Sequence, residues 1–127
     1  MAQWLNHSMI NSEMDHLRYV ILRHDRVPEP HFDLMFEAAP GADLITWRSL
    51  EWPITQETNL TRLGEHRRAY LDYEGPVSND RGDVKRVEAG TCHIDWTTAH
   101  ECTIHIDGRA LALRLLEDDH WLATPTS

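Results

Sequence analysis

The chain has 127 residues, with 12 Lys+Arg against 21 Asp+Glu and so a formal charge of −9 when its nine histidines are neutral. That length suits one domain rather than a multidomain enzyme, and 41% hydrophobic with 26% charged residues is a globular, not a disordered, composition. The acidic balance argues against a protein that coats DNA by neutralising phosphates with many Lys and Arg. No apolar run approaches the roughly 20 residues that a bilayer span needs. The start, Met1–His7, lacks a basic end followed by an apolar core. A cytoplasmic protein with no membrane partner is therefore expected. Cys92 and Cys102 are too few for a disulfide scaffold and alternate with Ile, Trp or Thr, as buried thiols on strands do.

Residues 1–16 mix polar and apolar types without a period and read as an arm or short helix ahead of a domain over 17–127. Tyr19-Val20-Ile21-Leu22 is an apolar, β-branched run that predicts a buried strand. Pro28 and Pro30 impose an extended turn. His31–Glu37 alternates, with Phe32, Leu34 and Phe36 on one face. After the turn Ala39–Ala42, a further strand is expected over Leu44–Leu50. Pro53–Gly64 reads as a loop, and His66–Glu74 as another alternating strand that stops at Gly75-Pro76. A polar loop, Ser78–Asp83, precedes short strand-like runs at Val84–Val87, Thr91–Trp96, Cys102–Ile106 and Ala110–Leu116, with His120–Ala123 closing the set. Turn signals about every 8–12 residues, and no helical stripe, predict an all-β fold. We expect a small barrel of about six to eight mostly antiparallel strands.

The histidines carry most of the chemistry. The pattern His-x-Asp occurs at His31/Asp33, His93/Asp95 and His105/Asp107. On a strand, residues i and i+2 share a face, so each pair presents an imidazole beside a carboxylate, a donor set suited to Mn²⁺ or Zn²⁺. His93/Asp95 and His105/Asp107 lie opposite apolar partners (Cys92, Ile94, Trp96; Cys102, Ile104, Ile106) and read as solvated outer faces. His31/Asp33 differs in having His24 upstream across a short Pro-containing connection. His24 and His31 can converge across a hairpin, and two His with one Asp leave coordination positions open, as a catalytic metal requires. In the other cluster, strand alternation sets His66, Arg68, Tyr70 and Asp72 on one face. That group could bind and polarise a phosphate, though the same pattern describes a solvated edge strand with Arg68 paired to Asp72.

These residues resemble a known family. Arg18–Asp25 followed by His31–Glu37 resembles the opening signature of the 3′-phosphoesterase domain of bacterial DNA ligase D: a hydrophobic strand, His-Asp, a short connection, then His-Tyr-Asp-Phe-Arg-Leu-Glu. His66-x-x-x-Tyr70-x-Asp72-Tyr73-Glu74-Gly75 is similar to that family's His-x-x-x-Tyr-x-Asp-Phe-Glu-Gly. Leu44–Trp47, Gly82–Val84 with Glu88–Thr91, Gly108 with Leu111, and His120–Leu122 are weaker echoes. The resemblance implies a small β-barrel with a Mn²⁺ site on a concave face, which removes a 3′-phosphate or a terminal 3′-ribonucleotide so that a ligase can seal the end, as in repair by non-homologous end joining. It implies that His24, His31 and Asp33 hold the metal, with Zn²⁺ or another divalent transition ion as substitutes. His66 would contact the phosphate or act as general acid, and Tyr70 would support the phosphate. The partners implied are a nucleic-acid 3′ end or small phosphoester, and separate ligase or polymerase proteins, with the chain itself a monomer.

Departures from the pattern remove positive charge. Met35 stands where the family has a phosphate-clamping Arg, Glu51 where it has Lys, and Ser78–Arg81 replaces a Tyr-Gly-rich turn. Arg68, between His66 and Tyr70, and Arg23 and Arg26, flanking His24, are the candidate replacements for the clamp. A barrel that keeps the pocket without the clamp would bind metal, phosphate or a nucleic-acid end without turnover, which is the alternative reading.

Overall fold

The computed structural model describes residues 16–126. Its strands are β1 (Leu17–Asp25), β2 (His31–Glu37), β3 (Leu44–Ser49), β4 (Thr58–His66), β5 (Gly75–Pro76), β6 (Asp83–Thr98), β7 (Glu101–Ile106), β8 (Arg109–Glu117) and β9 (His120–Thr126). They pair antiparallel in the order β1-β2-β3-β4-β9-β8-β7-β6, and β6 returns to β1. The result is a closed eight-stranded barrel, the all-β architecture expected from the turn spacing. The two-residue β5 adds to β6 outside the closed ring. The expected N-terminal arm lies, except for His16, outside the described residues.

Closure explains why β1 reads as a continuous apolar run rather than an alternating one. Tyr19 and Ile21 enter the barrel interior with Leu34, Phe36, Trp47, Leu60 and Trp121. Val20 and Leu22 point the other way, into a second cluster with Met35, Leu44, Leu71 and Val84. Aromatic rings step across the interior, with centroids 6.0 Å apart for Tyr19–Phe36, 6.0 Å for Phe36–Trp47 and 5.4 Å for Trp47–Trp121.

Three expected elements are corrected. Pro53–Gly64 is not one loop, because β4 starts at Thr58 and pairs with β3 and β9. Its alternation is hidden because Arg62, whose guanidinium lies 4.9 Å from the Trp47 ring centroid and 5.8 Å from that of Trp121, takes a position where a strand pattern expects an apolar side chain. His66–Glu74 is not a strand. β4 ends at His66, and Arg68–Leu71 forms a single 3₁₀ turn that buries Leu71 in the second cluster. The runs on either side of Gly90 are one long strand, β6. Its first half pairs with β1 and its second half with β7. Gly90 is no break here; it opposes Tyr19, whose ring would sit 3.4 Å from an added Cβ.

One buried carboxylate ties the second layer to the barrel. Glu37, 3% exposed, accepts the Arg18 and Gly41 backbone N–H groups at 2.6 and 3.0 Å and the Arg68 guanidinium at 2.5 Å. Burial works against its charged form, but Arg68 and the two amides outweigh it and hold the Glu37 carboxyl below its usual range. The stability this adds is present above the ordinary carboxylate pKa and is lost as pH falls through the depressed one. We expect Glu37→Gln to cost about 2 kcal/mol at neutral pH. The difference between variant and wild-type urea midpoints should begin to narrow below about pH 4 and close once the pH falls below the depressed Glu37 pKa; a gap that persists in stronger acid would remove Glu37's charge from the account. Trp47→Ala, which empties the centre of the aromatic series, should cost about 4 kcal/mol in the same measurement.

Candidate metal centre

The connection between β1 and β2 places His24 directly opposite His31 in the strand register. Cross-strand partners share a face, and Asp33, two residues along β2, shares it too. The two imidazoles lie 4.9 Å apart between centroids at 61°. The Asp33 carboxylate divides itself between them, with Oδ1 3.3 Å from His31 Nε2 and Oδ2 3.4 Å from His24 Nδ1. His31 and Asp33 are buried and His24 is half-buried.

Backbone carbonyls decide the tautomers. His31 Nδ1 lies 2.9 Å from the Glu29 carbonyl, and His24 Nε2 lies 2.7 Å from the Arg81 carbonyl. A carbonyl only accepts, so in the neutral rings these nitrogens carry the protons and donate. His31 Nε2 and His24 Nδ1 are then left with lone pairs, both beside a carboxylate. His31 Nε2 and Asp33 Oδ1 are buried without a hydrogen-bond partner. Three acceptors thus converge with no donor among them, an arrangement that costs free energy until a cation joins it. A proton is one such cation. Burial of the His31 ring opposes protonation, but the Asp33 carboxylate and the Glu29 carbonyl prevail and raise its pKa. A divalent metal is the other. The donor atoms of His24, His31 and Asp33 all lie within 4.8 Å of one another. The carbonyl–imidazole pairs behind them are the outer contacts that orient metal-binding histidines. The donor set fits a transition ion, as its sequence spacing suggests.

The Arg81 carbonyl reaches His24 because of Gly82. Its φ is +81°, and a Cβ there would sit 2.3 Å from the Asp25 carbonyl oxygen. Only glycine lets the loop lie this close to the end of β1.

Beside the triad is a cleft of about 270 Å³, lined among others by His24, Asp33, Arg48, His66, Tyr70 and Arg81. His66 and Tyr70 meet it as expected, though from the end of β4 and the 3₁₀ turn rather than from one strand face. Their rings are 5.9 Å apart, and His66 Nδ1–H donates to the Gly64 carbonyl at 2.9 Å. The three arginines proposed from the sequence do not line the cleft. Arg68 is held by Glu37 at 2.5 Å, Arg26 by Asp83 at 2.8 Å, and Arg23 by Asp25 at 2.9 Å while its guanidinium covers the Phe32 ring. The expected Arg68–Asp72 pair is replaced by Arg18–Asp72 at 2.9 Å. The positive groups in the cleft are Arg48 and Arg81. Arg48 opposes Asp33 in the β2–β3 register, and its guanidinium makes no hydrogen bond or ion pair among the described residues. Strand alternation alone carries the signal for it: Leu44, Thr46 and Arg48 share the outer face across from Asp33.

The other His-x-Asp pairs lie on an outer face, as expected, with Cys92, Ile94, Cys102 and Ile104 turned inward. Yet His93, Asp95 and His105 also converge, with donor atoms within 4.8 Å. Asp107 sits beyond β7 in a turn at φ +43°. Burial pushes both cysteine thiols up to about 12, which leaves them unreactive. No helix among the described residues is long and apolar enough to cross a membrane.

Neither a protein-family model nor any curated protein matches the sequence. The acceptor-only geometry makes a prediction of its own. Asp33→Asn places an amide donor between two imidazole lone pairs. In chelator, at a pH well above the raised His31 pKa, the variant should be more stable than wild type by about 1 kcal/mol. Destabilisation in urea would show that Asp33 does not sit in an acceptor-only cluster.

Proposed function

We propose that the chain is a metal-dependent phosphoesterase of the ligase D 3′-phosphoesterase type, acting on a phosphomonoester or phosphodiester at a nucleic-acid 3′ end. The observation that carries this reading is the acceptor-only triad of His24, His31 and Asp33 opening onto a cleft that also holds His66 and an unpaired guanidinium, Arg48. Mn²⁺ is the proposed ion, with Zn²⁺ or another divalent transition ion as a substitute, and when bound it would offset phosphate charge and make a water more acidic.

The residues of the chain supply the rest. Arg48, with Arg81 beside it, binds the phosphate oxygens in place of the clamp that Met35 cannot provide. Met35 is 1% exposed in the wall of the cleft and adds no charge. His66, oriented through Nδ1 by the Gly64 carbonyl, gives a proton from Nε2 to the departing oxygen as its bond to phosphorus breaks and water adds. Tyr70 packs against His66 and supports the phosphate. The product, a 3′-hydroxyl, is what a separate ligase would need. Met35 also favours the second reading, in which the cleft binds metal and a phosphorylated end without turnover.

The test uses metal-stripped protein and a 5′-labelled primer-template ending in a 3′-phosphate or a single 3′-ribonucleotide. End trimming should require Mn²⁺ and be abolished in His31→Ala. It should fall by about 100-fold or more in His66→Ala, and by about 100-fold in Arg48→Ala. Mn²⁺ binding that depends on His31 without trimming would establish the second reading. Absence of both binding and trimming would overturn the two together.

A further inference from the structure

The barrel contains the same chemical unit twice. In the centre described above, a cross-strand histidine pair brackets an aspartate two residues from one of its members. On β6 and β7, His93 opposes His105 in register, and Asp95 follows His93 by two. The Asp95 carboxylate again divides itself, with Oδ1 2.7 Å from His93 Nε2 and Oδ2 3.3 Å from His105 Nε2. The imidazole centroids are 5.4 Å apart, tilted by 35°.

We propose that His93, Asp95 and His105 form a second, independent metal site, open to solvent, that takes Zn²⁺ and its late-transition neighbours. All three donor atoms lie within 4.8 Å. Donors around a tetrahedral ion with bonds of about 2.1 Å sit roughly 3.4 Å apart, so little movement is needed. Asp95 and His105, with side chains 60% and 46% exposed, are free to make it, while His93 is more enclosed at 27%. The strand backbone cannot drift, because Ile94 and Ile104, neighbours of the ligands, are locked in the barrel interior. An ion seated here replaces the His93–Asp95 hydrogen bond with bonds from both strands, and water completes its shell. A site of nitrogen and oxygen donors, the first centre included, binds Zn²⁺, Ni²⁺ or Cu²⁺ more tightly than Mn²⁺, so Zn²⁺ is the strongest probe of this site and metal supply sets the ion at the first. Exposure leaves the site without the shielded cleft or the guanidinium that the first centre has, so its role is to bind the ion and staple β6 to β7.

The two sites cannot share an ion. Leu17 of β1 opposes Cys92, whereas His24 lies seven residues further along β1. At the rise of an extended strand this separates them by roughly 20 Å.

Titration calorimetry of the metal-stripped full chain with Zn²⁺ alone tests the proposal. His105→Ala, at an exposed position, should bind one equivalent fewer than wild type, and Asp95→Asn should weaken the same equivalent at least tenfold. His31→Ala should keep that equivalent, and His31→Ala/His105→Ala should lose it. If His31→Ala does not fold, the comparison of wild type with His105→Ala decides alone. A single wild-type equivalent that disappears in His105→Ala but survives His31→Ala would support this site and show that the first does not take Zn²⁺. Zn²⁺ stoichiometry unchanged by His105→Ala overturns the proposal.

Discussion

The pairing of β1 with both β2 and β6 is the constraint from which the rest follows. It closes the sheet, so β1 has no free edge, and the barrel interior takes Tyr19 and Ile21. It also sets the register on the outer side, where His24 meets His31 and a second cluster of Val20, Leu22 and Met35 forms a floor for the segment after β4. Leu71 caps that floor from a 3₁₀ turn, and Glu37 fastens the turn to β1 and β2 through Arg68 and two backbone amides. The cleft exists because this short segment is held over the sheet by one apolar side chain and one buried carboxylate.

Within that cleft the electrostatics run against the charge of the chain as a whole. A net charge of −9 disfavours broad contact with nucleic acid. Arg48 and Arg81 nonetheless stand beside an Asp33 carboxylate whose oxygens meet lone pairs rather than donors. The cation-seeking triad and the unpaired guanidinium share one cleft, the first suited to a cation and the second to an anion. The arginines that flank the motifs in sequence serve the architecture instead: Arg68 holds Glu37, and Arg26 and Arg23 secure the end of β1 to neighbouring aspartates. Adjacency in sequence is a poor guide to which cation faces a site, because alternate strand residues point to opposite faces.

The two His₂Asp groups show how burial separates like chemistries. Both arise from a cross-strand histidine pair and an aspartate at i+2. At the first, carbonyls of Glu29 and Arg81 orient the rings, and a second layer of chain encloses them. At the second, the side chains of Asp95 and His105 are 60% and 46% exposed, and no carbonyl among the described residues orients them in this way. The first group is more enclosed, and charge interactions there are stronger than in water; Asp95 and His105 of the second face solvent.

The chain by itself determined the barrel class, the inward alternation of Phe32, Leu34 and Phe36, the buried cysteines and the triad His24, His31 and Asp33. Those features depend on period-two patterning and on a short hairpin connection, both local. Only the tertiary structure decided that β4 runs from Thr58 to His66, since Arg62 takes an apolar position that two tryptophans from other strands make tolerable. It also decided that Tyr70 comes from a 3₁₀ turn, whose alternating letters mimic a strand until Leu71 finds a buried place against β1 and β2. The choice of Arg48 over Arg68, and the meeting of His93 with His105, were settled by strand register. Register depends on which faces the closed barrel buries, and no residue's immediate neighbours in sequence carry that information.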